Sequence, residues 1–259
     1  LDGEEFRQSQ DEYVTMAMAK QLHDMVRRRL DGEPLQYVMK RWAFRHLDVL
    51  VDQRVLIPRP ETELLVDVGL AIATERLQHI DRPLNIVDLG TGSGVIGLSM
   101  AHELPLGKTN VWLTDQSSDA LDVARGNLVG VGQKGGGVRL ALGSWWNALD
   151  GSLKGAIDIA LCNPPYIAHD DDEVATDVHA WEPHSALYAG DNGLADIREV
   201  ISGATTWLAN KGWLVLEIGY QQGEDVRVLL ENAGLVHVEI RRDLAGRDRI
   251  ALAKRQTAS

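Results

Sequence analysis

The chain has 259 residues, 44% of them hydrophobic and 25% charged, an ordinary globular composition with room for one large domain or a large and a small one. Its formal net charge of −12 argues against a duplex-binding surface, which sets Lys and Arg against phosphates, so no direct nucleic-acid partner is expected. The single cysteine rules out intrachain disulfides and fits a reducing, cytoplasmic setting, and no apolar stretch approaches membrane-spanning length.

Residues 1–33 carry Tyr13, Met16, Ala17, Met25, Val26 and Leu30 at helical spacing among charges. This predicts one or two helices ended by Asp31-Gly32, with Pro34 beyond. Residues 42–57 change character. Trp42, Phe44, Val49, Val51, Val55 and Ile57 predict a β-hairpin with Asp52-Gln53 near its turn. The expected division is a helical N-terminal part over 1–40, a hairpin connector over 41–58 and a main domain over 59–259. Pro58 and Pro60 punctuate the chain before a helix from about Thr62, with Glu61 and Glu63 at its positive end.

From Leu84 onward strands and helices alternate. Strands are expected at Leu84–Leu89, Val111–Asp115, Val138–Leu142, Ile157–Cys162, Trp213–Ile218, Leu235–Ile240 and Arg249–Ala253. Helices are expected near 94–104, 118–129, 193–209 and 222–233. This is the pattern of an α/β fold with a parallel sheet covered on both faces. No helical pattern separates the last two strands, so they should pair antiparallel. Cys162 lies inside an apolar strand and reads as a core residue, not a nucleophile.

The first of these strands runs into Asp88-Leu89-Gly90-Thr91-Gly92-Ser93-Gly94, and the second ends in Asp115. Closely spaced glycines let the backbone turn sharply and approach a ligand, and an acid at the second strand end suits ribose hydroxyls. The glycines alone do not separate a nicotinamide dinucleotide from S-adenosylmethionine. Asp88 favours the latter, because a carboxylate suits a zwitterionic amino acid and a sulfonium better than a pyrophosphate. Ligands of such sheets sit outside the carboxyl ends of the strands. Asp88, Leu89, Gly90, Thr91, Gly92 and Gly94, then Asp115, then Ser144 and Trp145, and finally Asn163 should therefore meet in one crevice. Trp145 is suited to cover an adenine ring and Ser144 to bond its edge. At least one of Trp145 and Trp146 should be core, since adjacent side chains point apart.

Asn163-Pro164-Pro165-Tyr166 follows the strand at Ile157–Cys162. Proline lacks an N–H, has a fixed φ and pushes its predecessor into an extended conformation. The loop thus holds the Asn163 side-chain oxygen and nearby main-chain carbonyls as rigid acceptors for a planar amino group, with Tyr166 able to lay a ring against it. His169-Asp170-Asp171-Asp172-Glu173 lacks ligand spacing on one face and reads as a solvated acidic loop, with no metal expected.

With these motifs assembled, the chain resembles the HemK-type peptide chain release factor N5-glutamine methyltransferases. The matching stretches include Glu33-Pro34-Leu35-Gln36-Tyr37, Ile57-Pro58-Arg59-Pro60-Glu61-Thr62-Glu63, the glycine loop, Asn163-Pro164-Pro165-Tyr166, Glu182-Pro183, Gly190-Asp191-Asn192-Gly193-Leu194 and Glu217-Ile218-Gly219. The resemblance implies a class I, Rossmann-like S-adenosylmethionine-dependent methyltransferase. Its seven-stranded, mostly parallel sheet would follow a small helical N-terminal domain, here expected to be truncated, and a β-hairpin connector.

The implied cofactor is S-adenosyl-L-methionine, leaving S-adenosyl-L-homocysteine. The implied partner is a class 1 release factor, methylated on the glutamine of its Gly-Gly-Gln motif. Asn163, Pro164 and Tyr166 would be catalytic. Those three with Pro165, Arg59 and Glu61 would shape the substrate pocket. Lys40, Ser144 and Trp181 depart from the family's usual glycine, aspartate and tyrosine. Competing readings are a ribosomal-protein glutamine methyltransferase, a DNA adenine N6-methyltransferase gripping a flipped base, a nicotinamide oxidoreductase and a non-catalytic nucleotide-binding adaptor. The net charge speaks against the DNA enzyme, and an oxidoreductase gives Asn163-Pro164-Pro165-Tyr166 no role.

Overall fold

A computed structural model describes residues 13–168 and 180–256. The acidic stretch 169–173 lies outside the described residues. Helix α1 (Met16–Leu30) is capped by Thr15, whose side chain accepts from the Met18 N–H. It ends where Gly32 takes φ 94°. A short α2 (Leu35–Met39) then leads into the hairpin β1 (Arg41–Phe44) and β2 (Leu47–Leu50). The hairpin turns at Arg45-His46, not at Asp52-Gln53 as the sequence suggested. Neither residue is an ordinary turn former. Arg45 adopts φ 50° and is held by acids instead, its guanidinium bonding Glu103 and Asp67 while its N–H reaches Glu63 Oε1.

The rest of the chain is α3 (Thr62–Leu77), β3 (Leu84–Leu89), α4 (Val95–Glu103), β4 (Thr109–Asp115), α5 (Ser118–Val131), β5 (Val138–Leu142), β6 (Ile157–Cys162), β7 (Ile167–Ala168), β8 (Tyr188–Ala189), α6 (Ala195–Trp207), β9 (Leu208–Glu217), α7 (Gly223–Asn232), β10 (Leu235–Arg242) and β11 (Asp248–Arg255). Seven strands form one sheet in the order β10-β11-β9-β6-β3-β4-β5. β9, β6, β3, β4 and β5 run parallel, while β11 pairs antiparallel with both β9 and β10. The antiparallel end is as expected. β9 begins at Leu208, five residues earlier than predicted, because an irregularity opposite Ile157 and Ile159 absorbs the polar stretch Asn210-Lys211-Gly212.

Burial on both faces explains the nearly unbroken apolar runs of the central strands. One core packs the hairpin, α3, α4 and α5 against the sheet through Phe44, Leu65, Ile86 and Leu98. The other packs α6 and α7 through Ile197, Val200, Val226 and Trp146. From β3 the chain moves outward through β4 and β5, then returns to β6 on β3's other side. This reversal opens a crevice above the β3–β6 boundary, the usual ligand position in such sheets. No helix among the described residues is long and apolar enough to cross a membrane.

Candidate active site

A crevice of about 350 Å³ lies at the carboxyl ends of β3, β4, β5 and β6. Gly90, Thr91, Gly92, Asp115, Ser144, Trp145, Asn163 and Pro165 line it. Its volume is in the range of small-molecule sites. Residues from all four strand ends meet there, but Asp88, Leu89 and Gly94, expected among them, do not line it.

The glycine loop is braced from below. Asp88 is fully buried and does not line the crevice. Its Oδ2 accepts from the Thr91 hydroxyl at 2.5 Å and from the Gly97 N–H at 2.9 Å. Burial pushes its pKa up to about 6, against the pull of those two bonds. Its Oδ1 has no hydrogen-bond partner among the described residues. Leu89 and Gly94 are likewise behind the wall. Gly90 has φ 70°, and a Cβ there would come within 3.0 Å of the Trp145 ring. Only glycine leaves that ring lying on bare backbone.

Asp115 faces the crevice. One oxygen accepts from the Gly92 N–H and the other from the Ser117 N–H, both at 2.9 Å. Burial raises its pKa, with those N–H groups opposing. Each oxygen keeps a lone pair for a diol. The two tryptophans divide as expected. Trp146 is core, donating to the Val200 carbonyl at 2.8 Å and stacked on Trp207. Trp145 lines the crevice with φ 44°. Ser144 Oγ donates to Glu199 at 3.4 Å. A flat wall, a bare glycine floor and a diol-binding acid together fit an adenosine-like group.

Asn163 stands at the end of β6. Its Nδ2 donates to Thr62 Oγ1 at 3.3 Å, an orientation that leaves Oδ1 for the crevice. Pro165 also lines the wall, whereas Pro164 and Tyr166 do not. The Tyr166 hydroxyl instead donates to Glu217 at 3.3 Å, and its carbonyl accepts from Gln222 Nε2 at 3.2 Å. Gly193, at φ 81°, passes so close beneath that a Cβ would lie 2.2 Å from the Tyr166 carbonyl oxygen.

Residues 63–181 match the family described as Methyltransferase small domain. A release factor glutamine methyltransferase from Xylella fastidiosa is 40% identical over 241 residues, covering 93% of this chain and 83% of that protein. One from Burkholderia pseudomallei is 41% identical over 225 residues, covering 86% and 76%. The chain belongs to the release factor glutamine methyltransferase family. A methyltransferase from Pyrococcus furiosus, 15% identical, shares the fold with a TM-score of 0.56 over 90% of this chain and 98% of that one. The family membership makes this protein an enzyme that transfers methyl groups, on the seven-stranded Rossmann-like fold described above.

Within that family fold, neither Arg59 nor Glu61 lines the crevice. Arg59 pairs with buried Glu182 at 2.5 Å, and Glu182 also accepts the Ile57 N–H at 3.1 Å. This ties the connector to Pro183, which does line the crevice. Glu61 is exposed at the foot of α3. Sequence reasoning missed Thr62 and Glu217 as partners of Asn163 and Tyr166. It also missed Asn127, whose side chain bonds both the N–H and the carbonyl of Leu50 and the Ser93 carbonyl. That side chain clamps the hairpin to the glycine loop. Among the described residues, no group of three or more His, Cys, Asp or Glu is placed to hold a metal ion.

Proposed function

We propose that this protein methylates the side-chain amide nitrogen of the glutamine in the Gly-Gly-Gln motif of a class 1 release factor, in the cytoplasm, using S-adenosyl-L-methionine. The observation that carries the reading is Asn163, whose Nδ2 is taken up by Thr62 so that Oδ1 is left for the crevice. The release factor methyltransferases 40% and 41% identical to this chain supply the substrate class.

Gly90, Gly92, Asp115, Ser144 and Trp145 would hold the cofactor. When bound, S-adenosyl-L-methionine supplies an electrophilic methyl group on a sulfonium. The remaining problem is the nucleophile. A primary amide nitrogen is poor because its lone pair is delocalised into the carbonyl. Asn163 Oδ1, on the crevice wall, accepts one N–H of that amide, and the adjoining Pro164 carbonyl would take the other although Pro164 itself does not line the wall. They fix its plane and stabilise positive charge as it develops on nitrogen. Orientation of the whole bound pair, cofactor and amide together, can supply up to about 7–11 kcal/mol. The methylated nitrogen then loses a proton readily to water, so no strong base is required of the chain.

The test incubates the protein and methyl-labelled S-adenosyl-L-methionine with a class 1 release factor, beside a copy whose Gly-Gly-Gln glutamine is replaced by alanine. Label on the intact factor alone is the expected result. Label on neither protein, or on both, overturns the reading.

A further inference from the structure

Asn163 is the visible end of a buried chain of hydrogen bonds. Behind it stands Thr62, the first residue of α3, whose hydroxyl donates to Glu217 Oε2 at 2.7 Å. Glu217 ends β9 and is 1% exposed. Its other oxygen accepts from the Tyr166 hydroxyl. The cation nearest in effect, Arg249 on β11, acts on this carboxylate through space, and Glu61 on the approach to α3 adds a like charge. A carboxylate buried with neutral donors as its hydrogen-bond partners is expensive for a fold to keep.

The positions of the protons give the arrangement its meaning. An ionised carboxylate only accepts, so the single Thr62 proton must point at Glu217. Thr62 Oγ1 is then an acceptor toward Asn163. The carboxamide has one oxygen end and one N–H₂ end, and only the N–H₂ end satisfies that acceptor. Turned over, Asn163 would set oxygen against oxygen and present donors to the crevice, where a substrate amide needs acceptors.

Taking Asn163 as the group that grips a planar amide nitrogen, as argued above, we propose that Glu217 and Thr62 are positioning residues for methyl transfer. The buried carboxylate fixes, through the Thr62 hydroxyl, the one orientation in which Asn163 presents Oδ1 to the accepting nitrogen. Two hydroxyl donors converge on one negative charge, with Asn163 donating to one of them, and a chain polarised this way strengthens the acceptor at its far end. Protonation of Glu217 gives it a donor of its own. Thr62 is then free to turn its proton toward Asn163, and both amide orientations become satisfiable.

The test compares the full chain with Glu217→Gln, Thr62→Val and Thr62→Ser, using release factor as substrate. Glu217→Gln and Thr62→Val should lower kcat by about 10–100-fold, the cost of leaving a buried hydrogen-bonding group without its partner, and leave both KM values little changed. Thr62→Ser keeps the hydroxyl and should restore turnover. Wild-type kcat should fall below about pH 6, where Glu217 takes up its proton. In Glu217→Gln that limb should vanish.

A second readout needs no turnover. The Asn163 side-chain N–H₂ signal in a 15N-labelled sample, assigned by its loss in Asn163→Ala, should titrate near pH 6 in wild type. It should not titrate in Glu217→Gln. Normal kcat and an unchanged acid limb in Glu217→Gln overturn the proposal, as does an Asn163 signal indifferent to pH. If Glu217→Gln does not fold, the Thr62→Val and Thr62→Ser pair decides, equal turnover in the two overturning it. A titrating Asn163 signal in a protein that methylates no glutamine would sink the function assigned above while sustaining the hydrogen-bond chain.

Discussion

Asn163→Ala deletes the side-chain acceptor that the end of β6 offers to the crevice while leaving the proline-stiffened backbone in place. Loss of one such preorganised group typically costs about 10²–10³ in kcat. The expected outcome is that loss with cofactor affinity unchanged, read by labelled methyl transfer and calorimetry on the same preparation. Near-normal turnover would remove Asn163 from the mechanism. Asp115→Ala should do the reverse. It strips the acceptor from the Gly92 and Ser117 N–H groups and the diol site from the crevice. At about 1–3 kcal/mol per lost partner, cofactor should bind roughly 10–100-fold more weakly in calorimetry.

These two residues were legible in the sequence because each sits in a contiguous motif at the end of an apolar run. Thr62 and Glu217 were not. Thr62 lies 101 positions from Asn163 and 155 from Glu217, and nothing local marks them as partners. Asp88 shows the opposite difficulty. Its place at the head of the glycine loop was readable, but the direction of its side chain was not. It points inward to Thr91 and Gly97, where a carboxylate holds the loop's shape.

Among the elements, the connector is the piece least expected to matter from composition and the one most tied to the site. Glu182 reaches back across 125 residues to take the Ile57 N–H in a buried setting, and its other oxygen takes Arg59. Glu182→Ala strands that N–H without water. It should destabilise the fold by about 1–3 kcal/mol with an unchanged denaturant slope, measured by urea unfolding. Arg59 is about a third exposed and should add little to that figure, because solvent screens it. A variant as stable as wild type would mean the connector is held elsewhere. Hydrophobic pattern foretold the strands and helices well because alternating β and α segments have distinct periods. It misplaced the hairpin turn because Arg45 and His46 turn under tertiary restraint from Glu63, Asp67 and Glu103, which local turn chemistry does not encode.

For the whole molecule, two buried carboxylates set stability and turnover against each other. Burial raises Asp88 and Glu217 to about 6. In the unfolded chain such groups titrate near 4, at about 3.9 for Asp and 4.3 for Glu. Between those values the folded state binds protons the unfolded state does not, so stability falls as pH rises through the window and levels off above it. A second set of acids works the other way. Glu103 is held low by hydrogen bonds from Arg45 and Asp52 by those from Arg54. Asp158 stays low despite its burial, because Arg82, the Asn85 N–H and Arg76 all bond it. Their contribution is complete above about pH 4 and is lost below it.

The net charge of −12 adds self-repulsion that acid relieves. Unfolding free energy, measured by urea titration from about pH 4 to about pH 8, should therefore peak near pH 5. Turnover should still be climbing there, because the chain behind Asn163 needs Glu217 ionised. Glu217→Gln removes one of the raised groups and should flatten the decline toward neutrality. A stability curve that rises steadily to pH 8, unaltered by Glu217→Gln, would show that these carboxylates are not held protonated by the fold.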